Sequence, residues 1–228
     1  MNNTIEKNIQ RIRLFSLTCT LNDNGQLRHF HNGHEFVEVG GIKWATCNVG
    51  ATKPTDSGLY FAWGETKGFT AEQVRNGERH FNWSDYKYGN YNSLTKYNNT
   101  NEKTTLEPQD DTATFNIGIG WRMPTRDEFR ILLDSTTYKW VTNYQGSGVN
   151  GRLFIDKKDS TKTLFFPAVG FCRSGDAPFV GFSGYYWSSS FHISDVIYGH
   201  DLLFSSDYGD IGCNSRYYGF TVRGVVDE

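Results

Sequence analysis

No stretch of this chain approaches the ~20 consecutive apolar residues that a membrane-spanning helix needs. Ile12 to Leu21, after Arg11 and Arg13, is too short and too polar even for the apolar region of a Sec signal, so no recognisable signal peptide is present. Charge of either sign is not in excess: 23 Lys and Arg stand against 25 Asp and Glu, leaving −2, and the basic residues form no stripe. Nothing therefore points to nucleic acid or to an anionic membrane. Cysteine is sparse. Cys19, Cys47, Cys172 and Cys213 are widely spaced and make no CxxC or Cys-His cluster, which argues against a zinc site. A disulfide cannot be paired from the sequence, and the expectation is four free, mostly buried thiols.

The most informative lack is local. From Ser188 to Val226 the chain contains no Lys, Glu, Gln, Met or Trp, although these five types supply 34 of its 228 residues. Chance gives such a gap roughly once in several hundred trials. A sheet-rich segment disfavours Lys and Glu in any case, so composition alone leaves two explanations open. Two blocks bound the segment and read as framework: Tyr185-Tyr186-Trp187-Ser188-Ser189-Ser190 and Tyr217-Tyr218-Gly219-Phe220-Thr221-Val222-Arg223. Between them, Leu202 and Phe204 read as inward strand residues.

What the chain has is glycine and aromatics. With 24 Gly, 13 Tyr, 17 Phe and few long helical periods, it predicts a sheet-rich fold with many turns, long enough to bury a real core. Residues 1–32 read as an N-terminal arm, with weak helical spacing from Ile5 to Phe15. Its Asn22-Asp23-Asn24-Gly25 turn would let Leu14 to Leu17 pair with Leu27 to Phe30. The arm is either an oligomerisation or attachment piece or a frayed end. Residues 33–228 form the main domain. Glu35 to Val39 and Ile42 to Thr46 alternate as strands around the Gly40-Gly41 turn. Asp56 to Glu65 reads as a short turn or helix carrying aromatics inward. Thr66 to Gly120 is polar and reads mostly as surface loop, with Asp110 or Asp111 capping a short helix. Thr125 and Glu128 form a capping box that starts a helix ending near Ser135, with Phe129, Leu132 and Leu133 on one face. Short strands follow at Tyr138 to Thr142, Arg152 to Asp156 and Leu164 to Ala168.

Several blocks recur here in a specific order: Asn32-Gly33-His34-Glu35-Phe36-Val37, Lys43 to Ala51, Tyr60-Phe61-Ala62-Trp63-Gly64-Glu65, Trp121-Arg122-Met123-Pro124-Thr125, Phe166 to Gly170, Tyr186 to Ser190 and Arg216 to Arg223. Together they resemble the Fibrobacter succinogenes major paralogous domain, over about residues 33–226. The Arg-Met-Pro-Thr helix start and the Gly-Phe-Thr-Val-Arg ending also resemble the formylglycine-generating-enzyme-like branch of the C-type lectin fold. The resemblance implies an α+β, C-type lectin-like domain: small loop-rich antiparallel sheets, two helices, and terminal strands paired so that Val39 and Val222 lie in neighbouring strands. In the variable proteins of diversity-generating retroelements, found in Bacteroidales and their phages, residues near the C-terminus are varied by mutagenesis of adenines, typically in AAC-type codons. The resulting codons end in a pyrimidine and cannot encode Lys, Glu, Gln, Met or Trp, the five types missing here.

The resemblance therefore implies a ligand- or receptor-binding protein with a diversified C-terminal surface, on a phage virion or a bacterial cell surface. Its partner would be a protein or glycan receptor on a target cell, with no nucleic acid, membrane insertion, metal or cofactor. Homo-oligomerisation would run through the N-terminal arm. The residues expected to face the ligand are Phe191, His192, Ser194, Asp195, Tyr198, His200, Asp201, Leu203, Asp207, Tyr208, Asp210, Gly212, Asn214 and Tyr217. Tyr with Ser, Asn and Gly is the mixture paratopes use. The alternatives are a non-diversified structural or adhesin domain of the same fold and, less favoured, a formylglycine-generating-type enzyme. The flanks of Cys172 and Cys213 do not match that enzyme's active-site pattern, so no catalytic role is expected. Glu107-Pro108-Gln109 superficially resembles a sugar-lectin calcium motif, but a calcium cage needs six or more oxygens and no partner motif follows.

Overall fold

The computed structural model describes residues 17–21, 27–98 and 103–227. Its largest sheet has six strands in the order β1-β2-β3-β4-β14-β7. These are β1 (Leu17–Leu21), β2 (Leu27–His31), β3 (His34–Val39), β4 (Ile42–Ala45), β7 (Trp121–Arg122) and β14 (Val225–Val226). Tight turns set its register. Asn32 (φ 49°) and Gly33 (φ 83°) join β2 to β3, and Gly40 (φ 64°) and Gly41 (φ 78°) join β3 to β4. Positive φ at both central residues is the geometry whose twist matches the flanking strands. Gly40 is also needed for space, because a Cβ there would collide with the Ser135 side chain.

β8 (Thr136–Val141), β9 (Gly151–Asp156) and β10 (Thr163–Pro167) form a three-stranded antiparallel meander in the order β10-β9-β8, while β11 (Gly184–Phe191), β12 (Tyr198–Phe204) and β13 (Gly209–Ser215) form another in sequence order. β5 (Gly89–Asn90) and β6 (Ser93–Leu94) make a two-residue ladder. The described helices are short: α1 (Ala71–Arg75), α2 (Thr112–Asn116) and α3 (Arg126–Ser135). The class is α+β, dominated by antiparallel sheet. Among the described residues no helix is long and apolar enough to cross a membrane.

α3 follows its sequence closely. Thr125 Oγ1 accepts from Glu128 N at 3.2 Å, and Thr125 N donates to Glu128 Oε2 at 2.7 Å. Arg122 holds the same carboxylate with two hydrogen bonds of 2.7 Å. Phe129 and Leu132 are buried, and Phe129 stacks on Trp44 with ring centroids 5.6 Å apart. The C-terminal Arg223 is wholly buried. Its guanidinium donates to Ala45 O (3.0 Å), Asn48 Oδ1 (2.9 Å) and Phe165 O (3.2 Å), and lies 4.6 Å above the Phe166 ring. One side chain thus ties the first sheet to the second.

Several expectations need correction. Val39 and Val222 are not in adjacent strands: Val39 pairs with Ile42, β4 separates β3 from β14, and Val225 is the residue that pairs with Trp44. Val222 accepts from Val49 N at 2.9 Å, ahead of the strand. In the N-terminal hairpin Leu17–Leu21 pairs with Leu27–His31, so that Leu17 stands opposite His31; its turn residues, Ser16 and Ile5 to Phe15 lie outside the described residues. Asp56 to Glu65 takes the turn alternative, without a helix, and carries Tyr60, Phe61 and Trp63 inward as expected, bridging Tyr60 to Phe69 and Phe61 to Phe220. The polar stretch from Thr66 to Gly120 is mostly exposed or half-buried loop among its described residues, as expected, but it also sends aromatics into the core. Phe81, Tyr86, Tyr88 and Tyr97 are buried in it, and the three tyrosine hydroxyls find partners inside: Tyr86 on Trp63 O and Tyr88 on Gly64 O, both at 2.9 Å, and Tyr97 on Asp110 Oδ2 at 2.7 Å. Asp111 is the residue that caps α2, accepting from Thr114 N at 2.9 Å. Asp110 instead receives Lys96, Lys87 and the Tyr97 hydroxyl, and is held at about 2, below the usual carboxylate range, by those bonds against the opposing effect of burial. The cysteines are free, but Cys19 and Cys213 are exposed, each on an edge strand, while Cys47 is half-buried and Cys172 buried.

Candidate functional site

The sheet β11-β12-β13 stands on an aromatic floor. Trp187 is fully buried, stacks on Phe220 at 4.1 Å and donates its indole N–H to Phe61 O at 2.9 Å. Tyr186 lies between Phe166 (4.7 Å) and Phe204 (5.9 Å) and donates its hydroxyl to Pro167 O. Leu202 and Phe204 are fully buried, as their pattern predicts. Two buried arginines brace the ends of the sheet. Arg216 lies 4.4 Å above the Trp63 ring and donates to Tyr97 O at 3.0 Å. Arg152 donates to Ser205 O (2.8 Å) and Tyr208 O (2.6 Å), so it holds the β12–β13 loop from below. Gly209 leaves room for it, since a Cβ there would collide with the Arg152 guanidinium.

Of the fourteen residues expected to face a ligand, two are buried. Phe191 is 2% exposed and packs against Trp63 and Tyr97. It follows a register shift in the β11–β12 pairing, between Trp187 and Phe191. Asp201 is 0% exposed. β12 is the central strand of its sheet, and Gly199, Asp201, Leu202 and Phe204 are buried in it while Tyr198, His200 and Leu203 are half-buried. Burial pushes the Asp201 carboxyl up to about 7, against one opposing bond from Asn214.

The other twelve separate into three places. His192, Ser194, Asp195, Tyr198, His200, Gly212 and Asn214 lie on or beside one end of the sheet, where Tyr198 pairs with Ser215. Leu203, Asp207, Tyr208 and Asp210 lie at the other, where Phe204 pairs with Gly209. Seven strand residues, about 20 Å, separate the two ends. Tyr217 belongs to neither group: its ring rests on Trp83 at 4.9 Å, and Trp83 in turn meets exposed Tyr91.

The first end contains a cleft of about 470 Å³. Phe191, His192, Ser194 and His200 line it together with Ser190, Ile193, Thr104, Arg126 and Asp127, Phe191 from a largely buried position. Asp195 N donates to His192 Nδ1 at 3.1 Å, which leaves the proton of that ring on Nε2. His200 Nδ1 lies 3.2 Å from Gly212 O, a pure acceptor, so His200 carries its proton on Nδ1 and has a bare Nε2. Burial also lowers the pKa of His200, favouring this neutral form. The two rings stand 5.4 Å apart. The cleft therefore combines a donor, an acceptor, a guanidinium and a carboxylate around hydroxyls. At the second end Tyr208 is 55% exposed, and Asp210 pairs with Arg130 at 2.8 Å.

Arg126, Asp127, Thr104 and Arg130 have no place in a reading confined to the C-terminal segment. A signal for Arg126 exists: it directly follows the Thr125 cap, and its N–H donates to Ser190 Oγ at 3.1 Å. Nothing in the sequence marks Thr104. Among the described residues no group of three or more His, Cys, Asp or Glu is placed to hold a metal ion. Comparison of the chain with protein-family models, with curated proteins and with solved structures gives no match.

Proposed function

We propose that this protein binds a receptor, a protein or glycan on a target cell, through the cleft and loops of its C-terminal sheet. On this reading a C-type lectin-like scaffold displays a segment diversified by a retroelement, on a phage tail or a bacterial surface. The observation that carries the reading is an overlap. The segment lacking Lys, Glu, Gln, Met and Trp supplies six of the nine residues that line the cleft, Ser190 to Ser194 and His200, while other residues of the same segment, such as Leu202 and Phe204, form the buried floor. Tyr198 and Tyr208, with the Ser, Asp and Asn residues around them, give rigid amphipathic contacts beside adaptable polar ones.

No catalytic role is assigned. A thiolate is the nucleophile in cysteine chemistry. Burial pushes the Cys172 thiol up to about 12 and raises that of Cys213, so neither is poised to ionise at neutral pH.

The diversification part of the reading is tested by sequencing the neighbouring DNA. The expected result is an adenine-rich template repeat matching the codons for residues 188–223, beside a reverse transcriptase. Flanking DNA with neither would leave a non-diversified adhesin domain as the better account.

A further inference from the structure

We propose that β1 is a self-pairing edge through which two copies of this chain form an antiparallel, two-fold dimer. β1 is one of the two edge strands of the six-stranded sheet, and all five of its residues are exposed. An exposed edge is a template for pairing, which soluble proteins normally block with a charge, a proline or a bulge. Four other sheet edges carry a charge or a proline, Arg122 on β7, Lys139 on β8, Pro167 on β10 and Asp210 on β13; edge β11 has a register irregularity, and edges β5 and β6 are only two residues long. β1 carries none. It reads Leu17-Thr18-Cys19-Thr20-Leu21, the same in both directions.

That palindrome makes the strand its own complement. A two-fold axis through Cys19 sets Leu17 against Leu21 of the second copy, Thr18 against its Thr20, and Cys19 against its Cys19. No charge meets a like charge. By strand alternation Leu17, Cys19 and Leu21 share one face with Leu27 of β2. Leu17, Leu21 and Leu27 are 59%, 69% and 57% exposed, a large apolar area for a free surface. An isologous contact of this kind closes on itself and does not propagate into a fibre. The dimer would carry two C-terminal surfaces and so bind a multivalent target with avidity. The inference stands without the proposed function, because it rests on the opposite part of the fold.

The test uses the full chain. Light scattering should give a mass twice the 26.0 kDa of one chain. In Thr18→Lys/Thr20→Lys the axis sets lysine against lysine, and the mass should fall to one chain. In Thr18→Lys/Thr20→Glu every introduced lysine faces an introduced glutamate, and the dimer should persist. Opposed Cα atoms in an antiparallel pair stand about 4.5 or 5.5 Å apart, within the range of about 4.4–6.8 Å a disulfide spans. Diamide should therefore take two protons and two electrons from the paired Cys19 thiols and cross-link the parent. Cys213→Ser should cross-link equally, and Cys19→Ser should not. The cross-linking needs no charge variant to fold. A monomeric parent would overturn the proposal. So would a dimer that both double variants retain, or one that cross-links without Cys19; either would place the contact elsewhere and leave the edge to residues 1–16.

Discussion

The side chain of Asn214 donates to the buried carboxylate of Asp201 at 3.0 Å, and the second carboxylate oxygen of Asp201 has no hydrogen-bond partner. A half-satisfied carboxylate beneath the candidate surface makes stability depend on pH. Its folded pKa, about 7, lies above the ordinary aspartate value of 3.8, so the folded state holds its proton more tightly. The stability it contributes is fully present below about pH 4 and is lost as pH rises through 7. Between those limits the loss runs on the order of 1.4 kcal/mol per pH unit. Asp201→Asn removes the ionisation. Its melting temperature should exceed the parent's at pH 8 and approach it at pH 5. Parallel curves for the two proteins would show that Asp201 is not desolvated.

Gly209 and Arg152 form a second dependent pair. Gly209→Ala should destabilise by about 1–3 kcal/mol, the range for overpacking. The added methyl meets a guanidinium that Ser205 O and Tyr208 O already hold. In Arg152→Ala the clash partner is gone, so the double variant should be less destabilised than the two single changes added together. Strict additivity in denaturant melts would separate the two positions.

Framework and helix cap should differ in weight. Trp187 is fully buried against Phe220, and Trp187→Ala should cost roughly 3 kcal/mol or more. Thr125→Ala removes one cap hydroxyl and should cost about 1 kcal/mol. Chemical denaturation of both variants gives the order. A Trp187→Ala protein as stable as Thr125→Ala would contradict the framework role of its block.

Local signals made much of this architecture legible. The capping box, the Gly40-Gly41 turn and the inward Leu202 and Phe204 follow from spacing and backbone preference alone. The misreadings have physical causes. Asp201 and Phe191 are buried against expectation: the segment has no clean period to mark its inward residues, β12 is the central strand of its sheet, and Phe191 follows a register shift at the end of β11. The stretch from Thr66 to Gly120 is polar by count, yet Tyr86, Tyr88 and Tyr97 bury their rings and place their hydroxyls on Trp63 O, Gly64 O and the Asp110 carboxylate. The separation of the candidate site into two ends and a Trp83 patch depends on strand register, which no local pattern encodes. Arg126 and Asp127 reach the cleft from a helix more than 60 residues earlier in the chain.

The central claim is that the cleft end of the C-terminal sheet binds while its floor holds the fold. The most direct measurement compares the parent with His192→Ala/Ser194→Ala/Asp195→Ala/Tyr198→Ala, by thermal melting and by pull-down on intact gut bacteria, with and without chelator. These positions are exposed or half-buried, and substitutions at such sites usually cost under ~0.5 kcal/mol each. The account predicts a melting temperature within a few degrees of the parent's, chelator-independent binding by the parent and loss of that binding in the variant. A variant that unfolds, or one that binds the same cells as tightly as the parent, would contradict it.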